Sequence, residues 1–292
     1  GAVSGTSISF GSESSQSFEA LGLHAVFDSS NNKTVISFRN VSNDYGSAAV
    51  IYTSGTNAAF IGSAVVFNSA NSSPGVLTFD SSNNKVVIPY VDSGDSAKGK
   101  AIVGTVSGNS ISFGSATTFE AGTTATSSHM AATFDSNSNT VVVVYEDAGN
   151  SNAGTYATGT VSGTSISFNT PVVYNAGGSE YNRATFDSSQ NIVVIAYSDD
   201  GNSGYGTAIA LRTGSTNLSA TNFLGLADAA ISDTATGKIN VKGSINSKQS
   251  SLTIGSDYYV QTDGTVTTSS TSPAQKIGQA VNATTINMMD LT

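Results

Sequence analysis

The sequence contains no cysteine. That removes disulfides, thiolate metal centres and cysteine nucleophiles together, and leaves no thiol from which a redox compartment could be read. Charge is scarce as well. Only 11% of the 292 residues are Asp, Glu, Lys or Arg, against about 25% in ordinary soluble domains. Ser, Thr, Asn and Gly take their place, so neutral hydroxyls and amides must cover the surface. The 11 basic residues are scattered and the net charge is −9, which argues against nucleic acid as a partner, since its backbone needs clustered Lys and Arg. No apolar run approaches the roughly 20 residues that span a bilayer, so membrane insertion is not expected, and no charged-then-apolar leader opens the sequence. His24 and His129 are the only histidines, with no Gly-x-Ser-x-Gly or His-Glu-x-x-His motif around them.

What is present is one stretch written several times. Phe-Asp-Ser occurs at Phe27, Phe79, Phe134 and Phe186, and its aspartates Asp28, Asp80, Asp135 and Asp187 stand 52, 55 and 52 residues apart. A Ser-Ile-Ser-Phe-like segment ends at Phe10, Phe113 and Phe168, with a degraded form at Phe60. An aromatic followed by an acidic, glycine-rich turn begins at Tyr90, Tyr145 and Tyr197, and more loosely at Phe38. A fixed period of this size marks a repeat architecture. We number the repeats 1 to 4 by their Phe-Asp-Ser triplets.

Within a repeat, short runs rich in Val, Ile and aromatics are bounded by Asn, Ser, Asp and Gly, which is the strand signal. Asp-Ser-Ser-Asn-Asn and its variants join the first two strands as a hairpin turn, because Asp and Asn hydrogen-bond their own backbone and tolerate left-handed conformations. Ser-Gly-x-Ser forms a second tight turn before the fourth strand. No helical period appears up to residue 223. Four antiparallel strands per repeat predict a β-propeller-like array over residues 1–223, with a stacked β-solenoid as runner-up. The Val141-Val142-Val143-Val144 run suits a strand sandwiched between neighbouring sheets. Residues 3–11 read as a fourth strand without its first three. From residue 224 the register changes. Residues 224–292 are predicted to form a separate small β-sandwich or barrel-like module with a hairpin at Asp263-Gly264, and residues 213–223 form the junction.

The acidic turns place Asp92 and Asp95, Asp147, and Asp199 and Asp200 around glycines. Oxygen ligands so spaced could wrap Ca²⁺, which wants six to eight of them. The EF-hand pattern is absent, and the plainer reading is an Asx-type turn in which glycine supplies the positive φ. No other cofactor is expected. Five residues before each Phe of Phe-Asp-Ser stand Gly22, Pro74, His129 and Tyr181, with Arg183 close behind the last. In a propeller these variable residues share a face with the acidic turns. Asp, Asn, Tyr, His and Arg on a shallow face suit sugars, whose hydroxyls need donors and acceptors and whose C–H faces pack on rings. An enzyme is not expected. Glycoside hydrolysis needs paired carboxylates, whereas Glu146 and Asp147, adjacent on a strand, point to opposite faces.

Two blocks carry a resemblance. Leu252-Thr253-Ile254-Gly255-Ser256-Asp257-Tyr258-Tyr259-Val260, followed by Asp263-Gly264-Thr265 and Gly278-Gln279-Ala280, resembles the small terminal module of bacteriophage tail-fibre and appendage proteins, those of marine phages in particular. The Gly-Thr-Val-Ser-Gly-x-Ser-Ile-Ser-Phe stretches at Gly104 and Gly159 are similar to repeats that precede such modules. The resemblance covers nearly the whole chain. It implies an extracellular virion structural protein, often homotrimeric, that assembles with other appendage proteins and helps the particle meet a host-surface glycan or protein. The alternative is a bacterial secreted or surface-filament adhesin or spacer. A secreted polysaccharide-degrading enzyme comes third.

Overall fold

The computed structural model describes residues 2–213, 224–229, 236–261, 265–270 and 274–288. Among these the chain is all-β, with antiparallel sheets, four single-turn 3-10 helices and no α-helix. Among the described residues no helix is long and apolar enough to cross a membrane. Two compact units result, Gly1–Thr213 and Gly214–Thr292. The expected junction at 213–223 lies, except for Thr213, outside the described residues.

In the first unit each Phe-Asp-Ser triplet ends a strand that turns back on its neighbour in one register: Phe27 opposite Thr34, Phe79 opposite Val86, Phe134 opposite Val141, Phe186 opposite Val193. The turn is built from its own side chains. The carboxylate of Asp80 accepts from the Ser82 and Asn83 amides at 2.9 and 3.0 Å and from Asn83 Nδ2 at 2.9 Å. Asp28 does the same with Ser30 and Asn31. One asparagine per turn, Asn32, Asn84, Asn139 or Asn191, then takes the left-handed conformation (φ 51 to 55°) that reverses the chain.

Two strands are far longer than the 5–6 residues usual for a strand. Asn57–Pro74 pairs with Tyr45–Ser54 along its first part and with Lys85–Asp92 at its end. Val172–Asp187 likewise pairs first with Ala153–Ser162 and then with Ile192–Asp199. Repeats 1 and 2 therefore share a nine-stranded sheet, and repeats 3 and 4 a seven-stranded one. A single parallel bridge, Val76 to Ala131, connects the two. No sheet closes on itself.

Strand alternation sends successive side chains to opposite faces, and each face meets a different neighbour. Val35, Ala48 and Val50 of repeat 1 pack on Val86, Ile88 and Tyr90 of repeat 2. The other face of repeat 2, with Val87, Ala101 and Val103, packs on Val141, Val143 and Tyr145 of repeat 3. Val142 and Val144 of repeat 3 pack in turn on Val193, Ile195 and Tyr197 of repeat 4. The four-valine run is apolar on both sides because both sides are covered.

Each second strand also carries one ring that meets an aromatic arriving just before the first strand of its repeat. Phe18–Phe38, Phe67–Tyr90, Phe119–Tyr145 and Tyr174–Tyr197 have centroids 4.4, 5.2, 5.1 and 5.3 Å apart. The arriving ring lies over a glycine of the third strand. A methyl group on Gly46, Gly99 or Gly154 would stand 2.4, 2.5 or 2.6 Å from the ring of Phe67, Phe119 or Tyr174. These glycines are there because only hydrogen fits beneath the ring. Gly154→Ala is expected to lower unfolding free energy by about 1–3 kcal/mol through overpacking. Gly206→Ala, at the matching position of repeat 4 where the space is open, should change it by less than about 0.5 kcal/mol. Urea titration of the two variants checks the contrast.

The second unit has its own core of Leu226, Tyr258, Val260, Ile277, Ile286 and Met288. Its main sheet runs Ile245–Asn246, Thr285–Asn287, Ala274–Asn282, Asp257–Gln261 and Val266–Thr267, and a second sheet pairs Gly225–Ala227 with Ile239–Val241. Both are open. The strands expected to flank Asp263-Gly264 pair antiparallel through Tyr259–Thr267 and Val260–Val266, while that turn itself lies outside the described residues. The Tyr258 hydroxyl is held by the Thr253 amide at 2.8 Å. Gly278 lets the backbone pass where a methyl group would stand 2.0 Å from the Asn287 carbonyl oxygen.

Candidate functional site

The acidic turns are single 3-10 turns, Ser93–Asp95, Ala148–Asn150 and Asp200–Asn202. The left-handed residues are not the glycines inside the turns that the sequence suggested but the serine after each turn and the residue following it: Ser96 and Ala97, Ser151 and Asn152, and Ser203 and Gly204, with φ of 55 to 70°. Gly94 sits inside its turn because a methyl group there would stand 2.5 Å from the Ala70 side chain. All of the aspartates but the exposed Asp200 are tied down locally. Lys100 Nζ lies 2.8 Å from Asp92 Oδ2 and 2.7 Å from Asp95 Oδ2, and Lys98 Nζ is 2.9 Å from Asp95 Oδ1. An ammonium thus occupies the position a cation would take in that turn. Asp199 accepts from Asn175 Nδ2 at 3.2 Å, and Asp200 lies against Gly178. Burial, and then the nearby Glu120 charge, raises the Asp147 carboxyl above its ordinary range. Among the described residues no group of three His, Cys, Asp or Glu is placed to hold a metal.

The variable positions come together differently. Ser127–His129 forms a short 3-10 turn ahead of Ala131–Asp135, and Tyr181 lies where Val172–Asp187 bulges between Glu180 and Arg183. The His129 and Tyr181 rings meet edge-on with centroids 4.8 Å apart. Arg183 Nη1 donates to the carbonyl oxygens of Ser128 at 2.9 Å and Asn182 at 2.7 Å. On the far side of the cluster His129 Nδ1 contacts Glu146 Oε2, and both side chains are largely buried. Asn182, fully buried, donates to the His129 and Ser179 carbonyls at 2.9 and 3.0 Å and accepts from the hydroxyls of Tyr174 and Ser179. The guanidinium reaches towards repeat 1 as well. His24, which bonds the Pro74 backbone, has its pKa lowered first by burial and second by the Arg183 charge. Gly22 and Pro74, the equivalents of Tyr181 and His129, line a cavity of about 160 Å³ with Leu21, Arg39, Ser73 and Ser127.

Tyr181 stands out in this group. It is 59% exposed and has φ of 52°. The same position in repeat 1 is Gly22, with φ of 61° and the same bulge. A tyrosine in that left-handed conformation costs about 1–2 kcal/mol that glycine does not. Local strain of this kind concentrates at functional positions.

The sequence thus points to His129, Tyr181 and Arg183, which lie together, to Asp92, Asp147 and Asp199, which are held by their own neighbours, and to Asp200, which is exposed. It does not single out Glu146 as the partner of His129, nor Asn182 and Tyr174 as the buried support. The arriving aromatics Phe18, Phe67, Phe119 and Tyr174 did carry a signal, being spaced 49, 52 and 55 residues apart. No family model matches the chain, and no curated protein is significantly similar to it.

Proposed function

We propose that the chain is a structural component of a bacteriophage tail fibre or related appendage. Its repeats stand as blades of a propeller-like array, and the face around Tyr181 attaches to host-surface glycans. The observation that carries the attachment reading is the exposed, strained Tyr181 ring edge-on to the His129 imidazole, with the Arg183 guanidinium held on the Ser128 carbonyl next to that histidine. A flat aromatic face takes the C–H side of a sugar ring, and fixed donors beside it take the hydroxyls. The propeller-like reading is supported by the three successive inter-repeat cores and by Phe27, Phe79, Phe134 and Phe186 lining one cavity of about 440 Å³. The site binds without turnover: Glu146 is committed to His129, and Glu120 accepts the Tyr145 hydroxyl at 2.8 Å.

The test is glycan-array and whole-cell binding by Tyr181→Ala/Arg183→Ala. Loss of roughly 30-fold or more in affinity is expected for removal of an anchor aromatic and its charged neighbour. Unchanged binding would refute the assignment. Tyr181→Gly separates the site from the scaffold: it should raise unfolding free energy by about 1 kcal/mol by relieving the backbone, while binding is lost.

A further inference from the structure

The sequence has a net charge of −9 and only three arginines. Two of them, Arg39 of repeat 1 and Arg183 of repeat 4, nevertheless come to the end of the first unit that carries Tyr181. Arg39 lines the cavity of about 160 Å³ beside Gly22 and Pro74, which has room for more than a single water. The Arg39 side chain is 29% exposed, and its one charged neighbour, Asp44, stands 3.6 Å from Nε, beyond a good hydrogen bond. Among the described residues no acceptor is bonded to that guanidinium, and no carboxylate lines the cavity. Ser73 and Ser127 add half-buried hydroxyl side chains to its wall. Arg183 donates only to two backbone carbonyls, which are neutral and leave its charge in place. The Ser127–His129 turn joins the cavity to the exposed ring. Ser127 is in the wall, the Ser128 carbonyl holds Arg183, and His129 meets Tyr181. Ser12 and Thr213 lie at the opposite end of the strands. The Ser12 amide bonds Asn57 at 3.0 Å beside the turn that ends Tyr45–Ser54, and the Thr213 hydroxyl contacts Asp135 and Ser138.

We infer that the glycan taken by the Tyr181 face is acidic, and that its carboxylate or sulfate enters the cavity against Arg39. This rests on the attachment reading and gives its ligand a chemical class. A half-buried guanidinium with no acceptor at bonding distance is the unfilled half of a charge-assisted pair. Its planar fork of N–H donors matches two oxygens of a carboxylate or sulfate, and the pair gains strength where water is partly excluded. The hydroxyls of Ser73 and Ser127 supply further donors to the same oxygens. A neutral sugar offers only hydroxyls and leaves the Arg39 charge without a bonded partner. The Tyr181 ring takes a sugar face, Arg39 takes the acidic group of that sugar or the next, and the Arg183 charge adds attraction from repeat 4.

An array carrying neutral, carboxylated and sulfated forms of the same glycans tests the inference on the 292-residue chain. The natural protein should bind acidic forms roughly tenfold or more tightly than their neutral counterparts, and the preference should shrink as salt is added. The carboxylated and sulfated arms tell which oxyanion the cavity takes. Arg39→Gln should erase the preference. Its fold is expected to persist, since a partly exposed ion pair of this length contributes little to stability, and the melting midpoint checks that. Arg39→Lys keeps the charge without the fork and should recover part of the preference. Equal binding of neutral and acidic forms, or a preference that survives in Arg39→Gln, would overturn the inference. If Tyr181→Ala/Arg183→Ala still abolished binding in that case, the attachment reading would stand without it. A chain that binds no glycan at all would remove both.

Discussion

Tyr145→Ala is expected to lower the unfolding free energy by about 3–5 kcal/mol. Tyr145 is completely buried, 5.1 Å from the Phe119 ring, in the core that joins repeats 2 and 3. Truncation removes the ring and leaves a void that a strand held on both edges cannot collapse to fill. It also takes away the donor to Glu120. Burial first, and then the bond to Glu120, pushes the phenol well above its usual range, so the proton stays on the oxygen. Tyr145→Phe keeps the ring and loses only the hydrogen bond, for about 1–2 kcal/mol. With total stabilities of about 5–15 kcal/mol, the alanine variant should show a lower urea midpoint by a wide margin. Equal costs for alanine and phenylalanine would mean that the aromatic pair holds nothing together.

Lys100→Ala should be nearly as damaging, at about 3 kcal/mol, because it strands the buried Asp92 carboxylate without its partner. Removing both charges in Lys100→Met/Asp92→Asn should recover most of the loss, and the double-mutant cycle reads the coupling directly. The pair also sets a pH dependence. Burial lowers the Lys100 pKa, but hydrogen bonds to Asp92 and Asp95 outweigh it and bring the group to about 12, above its ordinary 10.5. The folded chain therefore binds more protons than the unfolded one between these values. The stabilisation is complete below pH 10.5 and fades as pH rises through 12. Unfolding free energies measured across that window should fall with pH in the natural protein and fall less in the double variant.

Much of the fold is legible in the residues. The Phe-Asp-Ser spacing gives the first strands, Asp with Asn gives the turns, and the valine run gives a strand covered on both faces. Strand alternation also separates Glu146 from Asp147, one facing His129 and the other facing Glu120. The rest depends on neighbours that lie far apart in sequence. Nothing near Gly154 says that the Tyr174 ring will lie over it, so a glycine required by contact reads the same as one required by a turn. The arriving aromatics drift in context, from Phe18-Glu19-Ala20 to Phe67-Asn68-Ser69 to Tyr174-Asn175-Ala176, which hides their spacing. In the site, His129, Tyr181 and Arg183 show as differences between otherwise similar repeats. Glu146 and Asn182 are silent, because burial beneath those residues follows from strand order and leaves no local pattern.

The two long strands, Asn57–Pro74 and Val172–Asp187, belong at one end to one repeat and at the other to the next. A tether pulled at the chain ends cannot release repeat 1 without loosening an edge of repeat 2, nor repeat 3 without repeat 4. Under tension the first unit therefore gives way in pairs, like double links, instead of shedding beads one at a time.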